Sequence, residues 1–128
     1  VNVVVRADGS ESLGNGHIFR TLRLANELRQ RGHNVSYICS DLPGAPFDKI
    51  KENGFNTKII DDNKDDTKQV IDWALTKGAK WIVIDRYASQ REEFECYKLM
   101  GFRVLAIDDI CETEFPVDVL VNQNLYAE

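Results

Sequence analysis

A charged, glycine-bearing stretch near the start of the chain holds the residues best suited to chemistry. It reads Arg6-Ala7-Asp8-Gly9-Ser10-Glu11-Ser12-Leu13-Gly14-Asn15-Gly16-His17. Gly14 and Gly16 lack a Cβ, so a ligand can approach the main chain closely there. His17 stands where a periodic segment, Ile18 to Arg31, begins, and that segment reads as a helix. A helix start offers unpaired N–H groups and a partial positive charge, which suit phosphate or another anion. The spacing is G-x-G-H and not the full dinucleotide fingerprint G-x-G-x-x-G, so it points to a ligand site without naming the ligand. A histidine here can exchange protons with a ligand, or it can simply bond the helix backbone.

Alternating strands and helices must position this loop. Val1 to Val5 is a continuous apolar run, the pattern of a strand buried on both faces of a parallel sheet. Ile18, Leu22, Ala25 and Leu28 give the first helix its apolar face, and Gly32 ends it. Val35 to Cys39 is a second strand, Phe47 to Asn53 a short helix stopped by Gly54, and Thr57 to Ile60 a third strand. The acidic run Asp61 to Asp66 reads as solvated surface, with Asp65 or Asp66 capping the next helix. That helix runs from about Thr67 to Lys77, with Val70, Ile71, Ala74 and Leu75 as its core stripe and Gly78 at its end. Trp81 to Ile84 is a fourth strand. Ser89 caps a helix that continues to about Met100 and stops at Gly101, before a fifth strand at Val104 to Ile107 and a sixth at Val117 to Val121.

The expected fold is therefore α/β, a Rossmann-like parallel sheet with helices on both faces. Ligands bind such sheets beyond the carboxyl ends of the strands, where the strand order reverses. Polar residues collect there in this chain: Arg6, Asp8 and the glycine loop after the first strand, and Asp85, Arg86 and Tyr87 after the fourth. Asp108 and Asp109 follow the fifth, and Asn122 and Asn124 the sixth. This convergence is stronger evidence for a site than any single motif.

The 128 residues suit one domain with its own core. A net charge of −5 argues against a general nucleic-acid or membrane-surface binder, though Arg6 and Arg20 can still line a local basic pocket. Cys39, Cys96 and Cys111 are too scattered for a disulfide framework or a metal-ligand pair, and they fit a reducing cytoplasm. No apolar run has transmembrane length and no signal peptide is visible. The chain opens directly in a strand, which suggests a piece of something longer.

Arg6-Ala7-Asp8-Gly9-Ser10, Leu13-Gly14-Asn15-Gly16-His17, Arg20 and Leu24-Ala25 resemble the opening of a family of nucleotide-sugar hydrolases. This is the UDP-2,4-diacetamido-2,4,6-trideoxy-β-L-altropyranose hydrolase family of the pseudaminic-acid pathway, whose opening related spore-coat polysaccharide proteins share. Ile84-Asp85-Arg86-Tyr87, Ile107-Asp108-Asp109 and the segment Leu120 to Ala127 are similar to the same family in the same order. The likeness spans the chain, with one departure: Arg86 stands where members often have histidine. It implies the N-terminal, sugar-side half of a glycosyltransferase-B type architecture, facing a nucleotide-binding C-terminal domain outside this chain. It also allows fusion to a sugar cytidylyltransferase.

The resemblance further implies release of UDP by water attack at the anomeric carbon, without a cofactor or metal, with His17 as general base. An unperturbed histidine pKa of about 6.5 suits that role, and the helix start disfavours the protonated ring. Gly14, Asn15 and Gly16 would let the sugar or diphosphate near the backbone, and Tyr87 would bond the sugar or orient the water. Asn122 and Asn124 can bond acetamido groups or simply turn the chain. Arg6, Asp8 and Arg20 can hold the substrate or pair inside the fold, Arg20 with an acid such as Asp8. Asp85 and Asp109 read as supports that cap helices and brace loops. His33, in a Gly-His-Asn turn, reads as surface. A glycosyltransferase domain and a non-catalytic binding module are the alternatives.

Overall fold

A computed structural model of the chain describes residues 1–7, 16–41, 44–45, 47–61, 63–85, 91–108 and 119–122. Among the described residues are six strands and four helices, alternating as far as the fifth strand. They are β1 (Asn2–Ala7), α1 (Gly16–Gln30), β2 (Asn34–Ser40), α2 (Phe47–Glu52), β3 (Asn56–Ile60), α3 (Asp66–Thr76), β4 (Trp81–Asp85), α4 (Arg91–Leu99), β5 (Arg103–Asp108) and β6 (Val119–Asn122). The strands form one sheet in the order β3-β2-β1-β4-β5-β6, and every neighbouring pair is parallel. The order reverses between β1 and β4, at the centre of the sheet.

Each central strand is apolar on both faces because both faces are covered. Val3, Val5 and Ala7 pack on one side with Tyr37, Val83 and the α1 residues Ile18, Leu22 and Ala25. Val4 packs on the other with Ile38, Ile82, Ile84 and Val104, under Val70 and Ala74 of α3 and Phe94 and Tyr97 of α4. Complete burial of a valine or isoleucine side chain stabilises the fold by roughly 1.5–3 kcal/mol. A doubly covered sheet therefore selects runs such as Val3-Val4-Val5 over alternating ones.

Helices return to strands by one repeated turn. The N–H of the glycine bonds the carbonyl three residues back, and the next N–H reaches five back: Gly32 to Arg29 and His33 to Leu28, with Gly54/Phe55, Gly78/Ala79 and Gly101/Phe102 doing the same. This is the Schellman closure, and it places the glycine at positive φ, +91° for Gly32. Asp65 caps α3 by accepting from the Lys68 N–H at 3.3 Å.

The structure corrects several boundaries. β1 continues through Arg6 and Ala7, and β4 includes Asp85. The first helix starts at Gly16, so His17 lies inside its first turn. Leu75 is not in the core stripe of α3; it is 56% exposed. It lies about 100° round the helix from Ala74. The helix is rolled the other way, so Ile71 and Trp73 are the half-buried flanks. The expected cap Ser89 lies outside the described residues.

Candidate functional site

The reversal of strand order brings the ends of β1 and β4 side by side, with Ala7 opposite Asp85. Arg6 and Asp85, both fully buried, stand at these carboxyl ends on opposite faces of the sheet. An isolated charge in such a place costs several kcal/mol, on the order of the effective desolvation penalty, so each needs a partner.

Arg6 finds Asp66, the first residue of α3. Its Nε donates to Oδ1 at 3.2 Å and its Nη2 to Oδ2 at 2.8 Å, a two-pronged contact. The same Nη2 donates to Ser40 Oγ at 3.1 Å, at the end of β2. Arg6 thus ties three elements together. Asp66 is accordingly not part of a freely solvated acidic run. The carboxyl end of the central strand needs a counter-charge, and the turn into α3 delivers one.

On the opposite face, Arg20 holds Asp85. Arg20 Nε donates to Oδ2 at 2.5 Å, and Nη2 donates to Oδ1. Asp85 is therefore the carboxylate of a buried ion pair, facing α1 from the last position of β4. One residue on, Thr21 Oγ1 donates to the Ile18 carbonyl at 2.8 Å and lies 3.0 Å from Tyr37 Oη. Burial pushes the Tyr37 hydroxyl well above its ordinary value, against the opposing effect of its bond to Thr21. The first two turns of α1 are thereby fastened to both β4 and β2.

The other expected site residues distribute as follows. Gly16 and His17 are the first two residues of α1, and Asn122 ends β6, paired in register with Asp108. Asp8, Gly14, Asn15, Arg86, Tyr87, Asp109 and Asn124 lie outside the described residues. The structure adds Asp66, Ser40, Thr21 and Tyr37, which sequence reasoning missed. It also adds Glu93, buried in the first turn of α4, whose Oε1 accepts from Tyr97 Oη at 2.8 Å. Only the i, i+4 spacing of Glu93 and Tyr97 was visible in advance. His33 is half-buried, with Nδ1 enclosed and without a hydrogen-bond partner. It is not the free surface residue its turn suggested, because the helix closure folds it back toward the sheet. It lies at the amino edge, away from the paired charges.

Comparison with solved structures places this fold in a known architecture. The crystal structure of Acinetobacter baumannii MurG superposes with a TM-score of 0.69 over 93% of this chain and 40% of that one, at 16% identity. The fold is Rossmann-like. Among curated proteins, the UDP-2,4-diacetamido-2,4,6-trideoxy-β-L-altropyranose hydrolase of Campylobacter jejuni is 27% identical over 129 aligned positions. That alignment covers all of this chain and 43% of the hydrolase. An uncharacterized protein of Methanocaldococcus jannaschii is 37% identical over 70 residues, 55% of this chain and 14% of that protein. The chain spans less than half the length of each of these proteins. No protein-family profile matches it. Among the described residues, no helix is long and apolar enough to cross a membrane.

Proposed function

We propose that this chain is the sugar-side domain of an enzyme that hydrolyses a UDP-linked diacetamido-trideoxy sugar. The end-to-end alignment with the Campylobacter hydrolase carries the reading. The position of His17 in the first turn of α1, beside the reversal point of a Rossmann-like sheet, supports it. The reaction needs a water molecule aimed at the anomeric carbon from the face opposite the nucleotide. His17 accepts a proton from that water as the new C–O bond forms. The bond to the diphosphate breaks, and UDP departs with its electron pair. Diphosphate is a good leaving group, so a strong general acid is less necessary than for a simple glycoside, and inversion follows from single displacement.

In this reading, Gly14, Asn15 and Gly16 bring backbone N–H groups to the substrate, and Tyr87 contacts the sugar or the water. Asn122 and Asn124 address its acetamido groups, and Asp8 contacts the substrate. A second, nucleotide-binding domain faces this one across the cleft in the complete enzyme. Without it, the 128-residue chain folds but turns over little substrate.

The test is UDP release from the diacetamido sugar nucleotide by the parent-length protein, with the anomeric proton followed by NMR. Prompt formation of inverted sugar by wild type, and loss of turnover of about 100-fold or more in a folded His17→Asn variant, is the expected result for a general base. Normal turnover by His17→Asn would sink the assignment. A product that forms only with an added sugar acceptor would move the protein to the glycosyltransferases.

A further inference from the structure

We infer that Arg20 and Asp85 form a positioning pair for His17. The inference rests on the hydrolase reading and assigns a role within it that neither residue's spacing reveals.

One edge of the Arg20 guanidinium, Nε and Nη2, is engaged with the two oxygens of one carboxylate. That carboxylate is completely buried, and the arginine side chain is only 19% exposed. A phosphate that recruited Arg20 would leave Asp85 charged, buried and without this partner. This is the arrangement a fold tolerates least. Opening the pair is therefore penalised.

Its position explains its use. Arg20 lies three residues after His17 in the same helix. Asp85 is the last residue of β4, opposite Ala7, from which the loop toward α1 departs. The pair pins the first turns of α1 to the strand across the reversal point. The Thr21–Tyr37 contact pins the same part of the helix to β2. Two ties at adjacent residues, to strands on either side of β1, remove sliding and rolling of that turn. A general base gains most from such restraint, because a displacement of about 1 Å can cost about 100-fold in rate.

The experiment uses the parent-length protein with Arg20→Lys, Asp85→Asn and the double variant Arg20→Met/Asp85→Leu. The double variant removes both charges together, which buried pairs often tolerate without loss of stability. Arg20→Lys keeps the charge but loses the fork, so it carries the test if another variant unfolds. We measure kcat, KM for the sugar nucleotide, the Kd of UDP by calorimetry, and thermal melting. Each folded variant is expected to lose about 10- to 100-fold in kcat with KM and the UDP Kd changed less than about threefold. The double variant is expected to be no worse than the single ones, since the two residues act as a unit. A rise in KM or UDP Kd at unchanged kcat in Arg20→Lys, with Asp85→Asn unaffected, would make Arg20 a substrate ligand and overturn the inference. Wild-type kcat in the folded double variant would overturn it too, leaving only a structural pair. No turnover by wild type would remove the hydrolase reading itself, and the positioning role with it.

Discussion

The two edges of the sheet are built from different materials. At the amino edge, four helices end in the same glycine closure, side-chain amides bridge the strand ends, and cations such as Arg29 meet a carbonyl or an aromatic ring, so that no carboxylate partner is needed. Asn2 Nδ2 donates to the Lys77 carbonyl at 2.7 Å, and Asn34 Nδ2 donates to Asn2 Oδ1 at 3.0 Å. At the carboxyl edge, whole charges are buried and paired across elements, Arg6 with Asp66 and Arg20 with Asp85. Each glycine closure at the first edge needs only its own helix and one glycine, although the Asn2 bond to Lys77 spans 75 residues. The second edge requires partners far away in sequence. The difference shows where the molecule accepts the cost of desolvating charge, and it does so at the edge where Rossmann-like sheets place their ligands.

The largest effect should come from splitting a carboxyl-edge pair. Arg20→Met leaves Asp85 charged in the interior, and urea unfolding should show a loss of about 3–5 kcal/mol. The Arg20→Met/Asp85→Leu double variant should recover most of it. Arg6→Met should cost less than Arg20→Met, because Asp66 is 30% exposed and can rehydrate. Equal, small losses would show that these charges are not isolated from water and would erase the contrast between the edges.

The amino edge should respond more mildly and by a different cause. Gly32→Ala places a methyl group at φ +91° with nothing within 4 Å of it, so backbone strain of about 1–2 kcal/mol is the whole expected cost. Gly54→Ala adds a contact of 2.8 Å to Arg29 Nη1, whose guanidinium stacks on Phe55 at 4.5 Å. Gly54→Ala should therefore lower the melting temperature further than Gly32→Ala. The reverse order would mean that Arg29 moves aside freely and the stack contributes nothing.

The smallest effect lies beneath the carboxyl edge, at Tyr37. Tyr37→Phe forfeits the contact with Thr21, about 1 kcal/mol at neutral pH. The hydroxyl stays protonated in the folded state beyond the ordinary tyrosine value of about 10, whereas the unfolded chain ionises there. The unfolded state then binds fewer protons, so this group's contribution falls as pH rises above that value. The gap in stability between wild type and Tyr37→Phe should shrink between pH 10 and 11. A constant gap would show that Tyr37 ionises equally easily in both states.

Much of the amino edge was readable in advance, and for a physical reason. Gly32, Gly54, Gly78 and Gly101 each follow a periodic apolar segment, and only a residue without a Cβ enters the left-handed region there easily. Ile18, Leu22 and Ala25 declared the buried face of α1 by their spacing. Leu75 was misread because periodicity defines a stripe but not how far the helix rolls about it. The carboxyl edge was readable only as a list of polar residues. That reading named Arg6, Arg20 and Asp85 as neighbours of a site, but it offered Arg20 an acid such as Asp8 where the structure gives it Asp85, and it took Asp66 only for a helix cap or solvated surface.

By itself, then, the sequence determined the succession of strands and helices, the covered faces of the sheet, the turns between them and the loop that opens α1. These depend on residues close together in the chain, through repeat period, helix capping and backbone freedom. Only the tertiary structure decided that Arg6 pairs with Asp66, 60 residues on, and Arg20 with Asp85, 65 residues on. Opposite charges attract at any sequence separation, and many carboxylates were available to each arginine. The strand order, which places β4 beside β1 with Asp85 facing α1, selects the pair that closes.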